Sequence, residues 1–178
     1  MDKIKAKLLG KKEIQRTMVR LAHEIIEKNA NLESLVLIGI RTRGEYLAQR
    51  LHKLIKINAG INLPLGTLDV TFYRDDFRTN LGSPKVGASN ILFEIDGKTV
   101  ILIDDVLYTG RTIRAAMDEI FSYGRPNSIE LGVLVDRGHR QLPIKATYIG
   151  KNIPTAIDEN IHVYVREVDG RDEVVLIK

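Results

Sequence analysis

Apolar residues along the chain fall into two rhythms. Ile14, Met18, Leu21, Ala22 and Ile25 recur every three or four positions, which predicts a helix over residues 13–29 with one face in a core. Residues 35–40 are apolar without interruption, as a strand buried on both faces has to be. The turn Arg41-Thr42-Arg43-Gly44 follows, and a second helix is predicted from it to about residue 57. Further strands are predicted over 68–73, 100–103, 129–135 and 146–149, and a further helix over 113–121. Residues 161–168 and 173–177 predict a closing hairpin around Asp169-Gly170. Strands alternating with helices imply an α/β fold with a mostly parallel central sheet flanked by helices. Residues 74–90 show no periodicity and contain Gly82, Pro84 and Gly87. A stretch that long inside a compact domain is usually functional or disordered, and it reads as a mobile flap.

Chemistry concentrates where the predicted strands stop. Val100-Ile101-Leu102-Ile103 runs into Asp104 and Asp105, then into Val106-Leu107-Tyr108-Thr109-Gly110-Arg111-Thr112 and a helix. Ligands of open α/β sheets bind at the carboxyl ends of strands, and the free N–H groups of a helix start attract phosphate. The segment therefore reads as a sugar-phosphate site, with carboxylates for ribose hydroxyls and a loop for phosphate oxygens. The bland alternative is a solvated acid pair followed by an ordinary helix cap. A nucleoside-triphosphate loop does not fit: Asp105 stands five residues before Gly110, where that pattern needs glycine, and Arg111 occupies its lysine position. Two more predicted strands end in polar loops, Arg41-Thr42-Arg43-Gly44 and Asp136-Arg137-Gly138-His139-Arg140. In a parallel sheet these ends share one edge, so three polar loops converge on one crevice.

Bulk properties narrow the class without changing this picture. A chain of 178 residues, 44% hydrophobic and 28% charged, fits one soluble domain with a full core. No apolar stretch approaches a membrane span, and no apolar secretory core follows the charged first residues. With no cysteine, thiol chemistry and disulfides are excluded, and the cytoplasm is the default setting. The 4 histidines are scattered without metal-ligand spacing. A net charge of +4 permits an anionic partner without requiring one.

Residues 100–112 resemble the phosphoribosyl pyrophosphate (PRPP) fingerprint of type I phosphoribosyltransferases. The resemblance implies that fold, with a flap near 74–90 and a small hood. By it Asp104 and Asp105 hold the ribose hydroxyls, and Val106, Leu107, Tyr108, Thr109, Gly110, Arg111 and Thr112 hold the 5′-phosphate. Arg41, Thr42, Arg43 and Gly44 fall at the pyrophosphate loop, and Arg74 at the hinge of the flap. Asp136 lies near the nucleotide and is a candidate Mg²⁺ ligand through water, most of the ion's ligands being PRPP oxygens. Arg137 is expected to touch pyrophosphate or base and is grouped with Asp104 and Asp105 as catalytic.

The segment from Asp136 to Ala146, Tyr148-Ile149-Gly150-Lys151-Asn152-Ile153-Pro154-Thr155, Tyr73-Arg74-Asp75-Asp76 and Ala22-His23-Glu24 is similar to the bifunctional PyrR family, nearly end to end. That family combines uracil phosphoribosyltransferase activity with attenuation of pyrimidine operons. The resemblance implies the substrates uracil and PRPP, the product UMP, and binding to a leader mRNA hairpin when UMP or UTP is present. It also implies a homodimer or higher homo-oligomer. Arg16, Arg20 and His23 form a polar stripe opposite Leu21 and Ile25, and His139, Arg140, Lys145 and Lys151 form a second basic group. Together they are the expected RNA face, with cations to neutralise phosphates. The alternative for this face is a solvated helix stripe; for the whole chain the alternatives are a uracil salvage transferase without RNA regulation, or a non-catalytic RNA regulator that senses nucleotide in the same crevice. Val19 stands where relatives commonly carry threonine, and Lys145 where arginine is common.

Overall fold

A computed structural model describes residues 3–70 and 89–178. Two sheets organise the chain. The larger has the order β3-β2-β4-β5-β6, made by Leu65–Leu68 (β3), Leu35–Ile40 (β2), Thr99–Leu107 (β4), Ser128–Asp136 (β5) and Tyr148–Asn152 (β6). All four pairings within it are parallel. Helices Lys11–Lys28 (α1), Arg43–Ala59 (α2) and Arg111–Tyr123 (α3) supply the crossovers and cover.

The apolar runs of the strands explain why both faces need cover. Leu35, Leu37, Ile101, Ile103 and Leu134 point to one side and pack with Ile14, Met18, Leu21 and Ile25 of α1 and Leu47, Leu51 and Ile55 of α2. The alternate residues Val36, Ile38, Val100, Leu102, Leu131 and Val133 point to the other side, against Ile113, Ala116 and Ile120 of α3. Each strand thus contributes to two cores, as period-two geometry requires.

The second sheet is antiparallel, in the order β1-β8-β7, from Ile4–Leu9 (β1), Glu173–Ile177 (β8) and Asn160–Tyr164 (β7). It forms a hood, and β7 touches β4 of the main sheet. A short helix, Arg166–Asp169 (α4), joins β7 to β8.

Several boundaries differ from the sequence reading. The strand placed at 68–73 begins earlier, since β3 is Leu65–Leu68; residues 71–73 lie outside the described residues. The strand placed at 146–149 starts later, at Tyr148, and continues to Asn152. Residues 166–169 form α4 where strand was expected. Strand β1 was not foreseen. The flap at 74–90, with Arg74, lies outside the described residues except for Ser89 and Asn90. Asn90 pairs with Thr67, and Ser89 Oγ accepts the Asp69 N–H at 3.1 Å.

Candidate functional site

The acid pair is not at the end of its strand. Strand β4 continues through both carboxylates to Leu107, so Asp104 and Asp105 sit inside the ladder, 2% and 7% exposed. Asp104 lies opposite Val133 of β5, and Leu107 opposite Asp136. Each acid bends onto its own backbone: Asp104 Oδ1 accepts the Asp105 N–H at 2.9 Å, and Asp105 Oδ1 accepts the Val106 N–H at 2.8 Å. Those contacts fix the carboxylate orientation before any ligand arrives.

The loop proper is only three residues, Tyr108 to Gly110. Gly110 caps α3 with φ 94°, a left-handed conformation that strains other residues. A Cβ there would also come within 3.3 Å of the Ile144 side chain. Thr109 is 4% exposed, and its hydroxyl accepts the Arg111 N–H at 3.2 Å, at the first turn of the helix. Val106 to Gly110, Thr112 and Ile113 line an open pocket of about 210 Å³. It is a cradle at a helix N-terminus, suited to an anionic group.

The loop after β2 brings α2 against the acids. Gly44 is packed so closely on β4 that a Cβ would lie 2.6 Å from the Ile103 carbonyl and 3.3 Å from Asp104 Oδ1. Only glycine permits that approach. The Arg41–Thr42 peptide is cis. Arg41 reaches Glu45 and, more distantly, the Thr67 hydroxyl, and Thr42 is exposed. Arg43 forms a forked pair with Asp169 of α4, at 3.2 and 3.0 Å. Burial pushes the Asp169 carboxyl up, but Arg43 and the Val165 N–H together hold it below the usual carboxylate range.

The loop after β5 grips the cradle from behind. The Tyr108 carbonyl accepts from Arg140 Nη1 at 2.7 Å, and the Thr109 carbonyl from the N–H groups of Gln141 and Leu142 at 2.9 and 3.2 Å. Arg111 Nε donates to Gln141 Oε1 at 2.8 Å. Arg140 also bonds the Ile144 carbonyl and pairs with Asp136. The second Asp136 oxygen accepts the Gly138 N–H at 3.0 Å. Both oxygens of Asp136 therefore have framework partners. Arg137, expected to touch substrate, donates instead to Thr155, Asn160 and the Glu159 carbonyl. Burial pushes its guanidinium down from the usual range.

The two expected basic groups approach each other where Arg20 bonds β6. Arg16, Arg20 and His23 are exposed along α1, and Lys145, Lys151 and His139 are exposed on the other side. Arg20 Nη2 donates to the carbonyls of Ile149 and Gly150 in β6, next to Lys151. Arg20 also pairs with Glu24. Of this set, Arg20 and Arg140 are bound into the framework more than the sequence implied. Sequence reasoning missed Asp169, Thr155, Asn160 and His162. Half-buried His162 of β7 lies within electrostatic reach of Arg43, Asp169 and Asp105; burial first, then Arg43, pushes its imidazole down. No motif marks Asn160 or His162, and neither the turn at Asp169 nor the segment ending at Thr155 shows in the sequence which arginine it holds.

Among the described residues no group of three His, Cys, Asp or Glu is arranged to hold a metal, and no helix is long and apolar enough to cross a membrane.

Comparison with known proteins agrees with this geometry. The family model for the phosphoribosyl transferase domain matches residues 6–167. The Bifunctional protein PyrR of a Thermoanaerobacter species is 51% identical over 174 residues, covering 98% of each chain. That of Pelotomaculum thermopropionicum is 50% identical over 178 residues, covering 100% of this chain and 98% of the relative. Among solved structures, a hypoxanthine phosphoribosyltransferase from Staphylococcus aureus superposes with a TM-score of 0.72 at 27% identity, over 98% of this chain and 92% of that one. The parallel sheet with its strand-end crevice is thus the type I phosphoribosyltransferase fold, and the chain belongs to the phosphoribosyltransferases and, among them, to the bifunctional PyrR family.

Proposed function

We propose that the whole chain is one catalytic unit that converts uracil and PRPP to UMP and pyrophosphate. It also binds the leader hairpin of a pyrimidine operon mRNA when UMP or UTP occupies the same crevice. The observation that carries the reading is the buried acid pair of β4 leading directly into an anion cradle at the start of α3.

Asp104 and Asp105, pre-oriented by their backbone contacts, accept hydrogen bonds from the ribose 2′ and 3′ hydroxyls. The loop from Tyr108 to Thr112 holds the 5′-phosphate. Arg41 and Arg43 meet the pyrophosphate with Thr42 and the Gly44 backbone beside them; Arg74, which lies outside the described residues, is assigned here by family resemblance alone. The base then lies between the ribose and the hood. Held this way, uracil nitrogen faces the anomeric carbon as the carbon–pyrophosphate bond lengthens; no protein nucleophile is needed.

The donor set suits a hard cation carried in by the substrate: two carboxylates near the ribose and no assembled protein cage among the described residues. Mg²⁺ bound to PRPP would neutralise charge on the leaving group. Asp104 and Asp105, beside the ribose, would steady it through water.

For RNA, Arg16 and His23 on α1 and His139, Lys145 and Lys151 beyond β5 offer exposed basic side chains, while Arg20 and Arg140 are bonded into the framework. The affinity should fall with added salt. By family resemblance the molecule works in the cytoplasm as a homodimer or larger homo-oligomer.

The engagement of Arg20 and Arg140, together with Val19, favours one second reading, a uracil salvage transferase without RNA control. Two assays decide. The first follows UMP from uracil, PRPP and Mg²⁺, with Asp104→Asn/Asp105→Asn as the inactive control. No UMP from the native chain, or full activity in the control, overturns the enzyme reading. The second is a gel shift of the leader hairpin with and without UMP; equal binding of a scrambled hairpin leaves only the salvage enzyme.

A further inference from the structure

Arg137 follows β5 directly and is 3% exposed. Each of its three nitrogens donates to the segment leading into the hood: Nε to Thr155 Oγ1 at 3.1 Å, Nη1 to Asn160 Oδ1 at 2.7 Å, Nη2 to the Glu159 carbonyl. All three acceptors are neutral. The guanidinium carbon lies over the Tyr108 ring, 3.9 Å from its centre. His139 repeats the connection two residues on. Its Nε2 bonds the Thr155 carbonyl at 2.6 Å, and its ring meets Tyr108 edge-on at 6.1 Å between centroids. His139 holds φ 62°, a conformation that persists only where surroundings impose it. The far end is anchored too, since Glu159 pairs with Lys5 of β1 and Asn160 opens β7. One planar cation therefore ties the cradle to the start of the hood.

We propose that Arg137 is a positioning residue. By locking Tyr108 to residues 155–160 it fixes the separation between the 5′-phosphate subsite and the nucleobase subsite. The inference rests on the transferase reading above, which puts phosphate on one side of this clamp and base on the other. The chemistry calls for a guanidinium in this role. A flat fork can direct donors at three acceptors while its face stacks on an aromatic ring, whereas an ammonium is a point charge with no face. A residue that served the reaction by charge alone would not need that shape.

The shape requirement separates the two roles. Steady-state kinetics of UMP formation are measured for Arg137→Lys, Arg137→Met, Tyr108→Leu, the Tyr108→Leu/Arg137→Met pair and Asn160→Ala. For a positioning residue, lysine is as poor as methionine, each lowering kcat/KM for uracil by about 100-fold, with KM rising more than kcat falls. The double variant is then no worse than the poorer single one, because both remove the same clamp. Asn160→Ala, which leaves the Arg137 charge in place, raises KM for uracil about tenfold by loosening the far end. Activity restored by lysine to within about threefold, or losses that multiply in the double variant, assigns Arg137 a direct charge contact and overturns the proposal. If the Arg137 variants fail to fold, an unchanged KM for uracil in Asn160→Ala overturns it as well. A native chain that makes no UMP sinks the transferase reading itself, which is a separate outcome.

Discussion

The loop after β2 and the loop after β5 both carry two arginines to the crevice, and they use them differently. In the first, Arg43 is paired with Asp169 and Arg41 with Glu45. In the second, Arg137 binds two neutral side chains and a carbonyl, and Arg140 binds two carbonyls besides Asp136. A carboxylate partner can be replaced by a phosphate of the same charge, so the first loop holds exchangeable cations. A part-buried carbonyl deprived of its donor costs about 1–3 kcal/mol, so the second loop holds fixed ones. Residue type and position at a strand end are alike; the loops differ in the neutral acceptors that the second pair of arginines holds.

The largest effect should come from the exchangeable side. Arg43→Ala is expected to lower kcat/KM for PRPP on the order of 100- to 1,000-fold, as removal of one charge-stabilising donor does elsewhere. Pyrophosphate release kinetics would check it, and a loss under about threefold would remove Arg43 from the leaving-group site. On the fixed side, Arg140→Gln should cost about 2 kcal/mol of stability, roughly 4–8 °C in a thermal melt. Arg43→Gln should cost less in the same melt; equal losses would erase the distinction between the loops.

Arg20 extends the comparison to the expected RNA face. It bonds two β6 carbonyls but its side chain is 47% exposed. Arg20→Gln should therefore lower stability by no more than about 1 kcal/mol, read by denaturant titration. A larger loss would make Arg20 a structural residue comparable to Arg140.

The smallest effect is a pH dependence. His162 is held below its ordinary value of 6.5, so the unfolded chain takes up its proton first as pH falls. Stability contributed by the neutral imidazole is complete above about pH 6.5 and is lost as pH drops from there toward the folded-state value. His162→Gln should flatten the melting temperature across that window. An unchanged slope would assign the loss to other groups.

The sequence carried the main sheet because both-face burial leaves a direct trace: 35–40 and 100–103 can hardly be anything else. It stopped β4 too early because adjacent acids read as loop, whereas the ladder to Val133 and Val135 continues through them. Strand β1 alternates only over the short run Ile4-Lys5-Ala6-Lys7-Leu8, passed over in the sequence reading; its state is decided by pairing with residues over 160 positions away. Motif residues Asp104 to Thr112 were legible as chemistry. The partners of Arg20 and Arg137, 130 and 18 residues distant, were not, because spacing along a chain does not show what a loop folds onto. That is why an arginine assigned to substrate proved to be held by Thr155 and Asn160.

The pairing of β1 with β8 has a consequence for biosynthesis. Lys3 and Lys178 exchange backbone hydrogen bonds at 3.0 and 3.2 Å, so β1 cannot complete its pairing until β8 has been made. The parallel sheet and its helices are complete once residue 152 has emerged, and domains commonly fold as their segments appear. Closing so long a loop is slow by comparison. A chain whose main sheet forms first would therefore hold its strand-end crevice before the hood covers it.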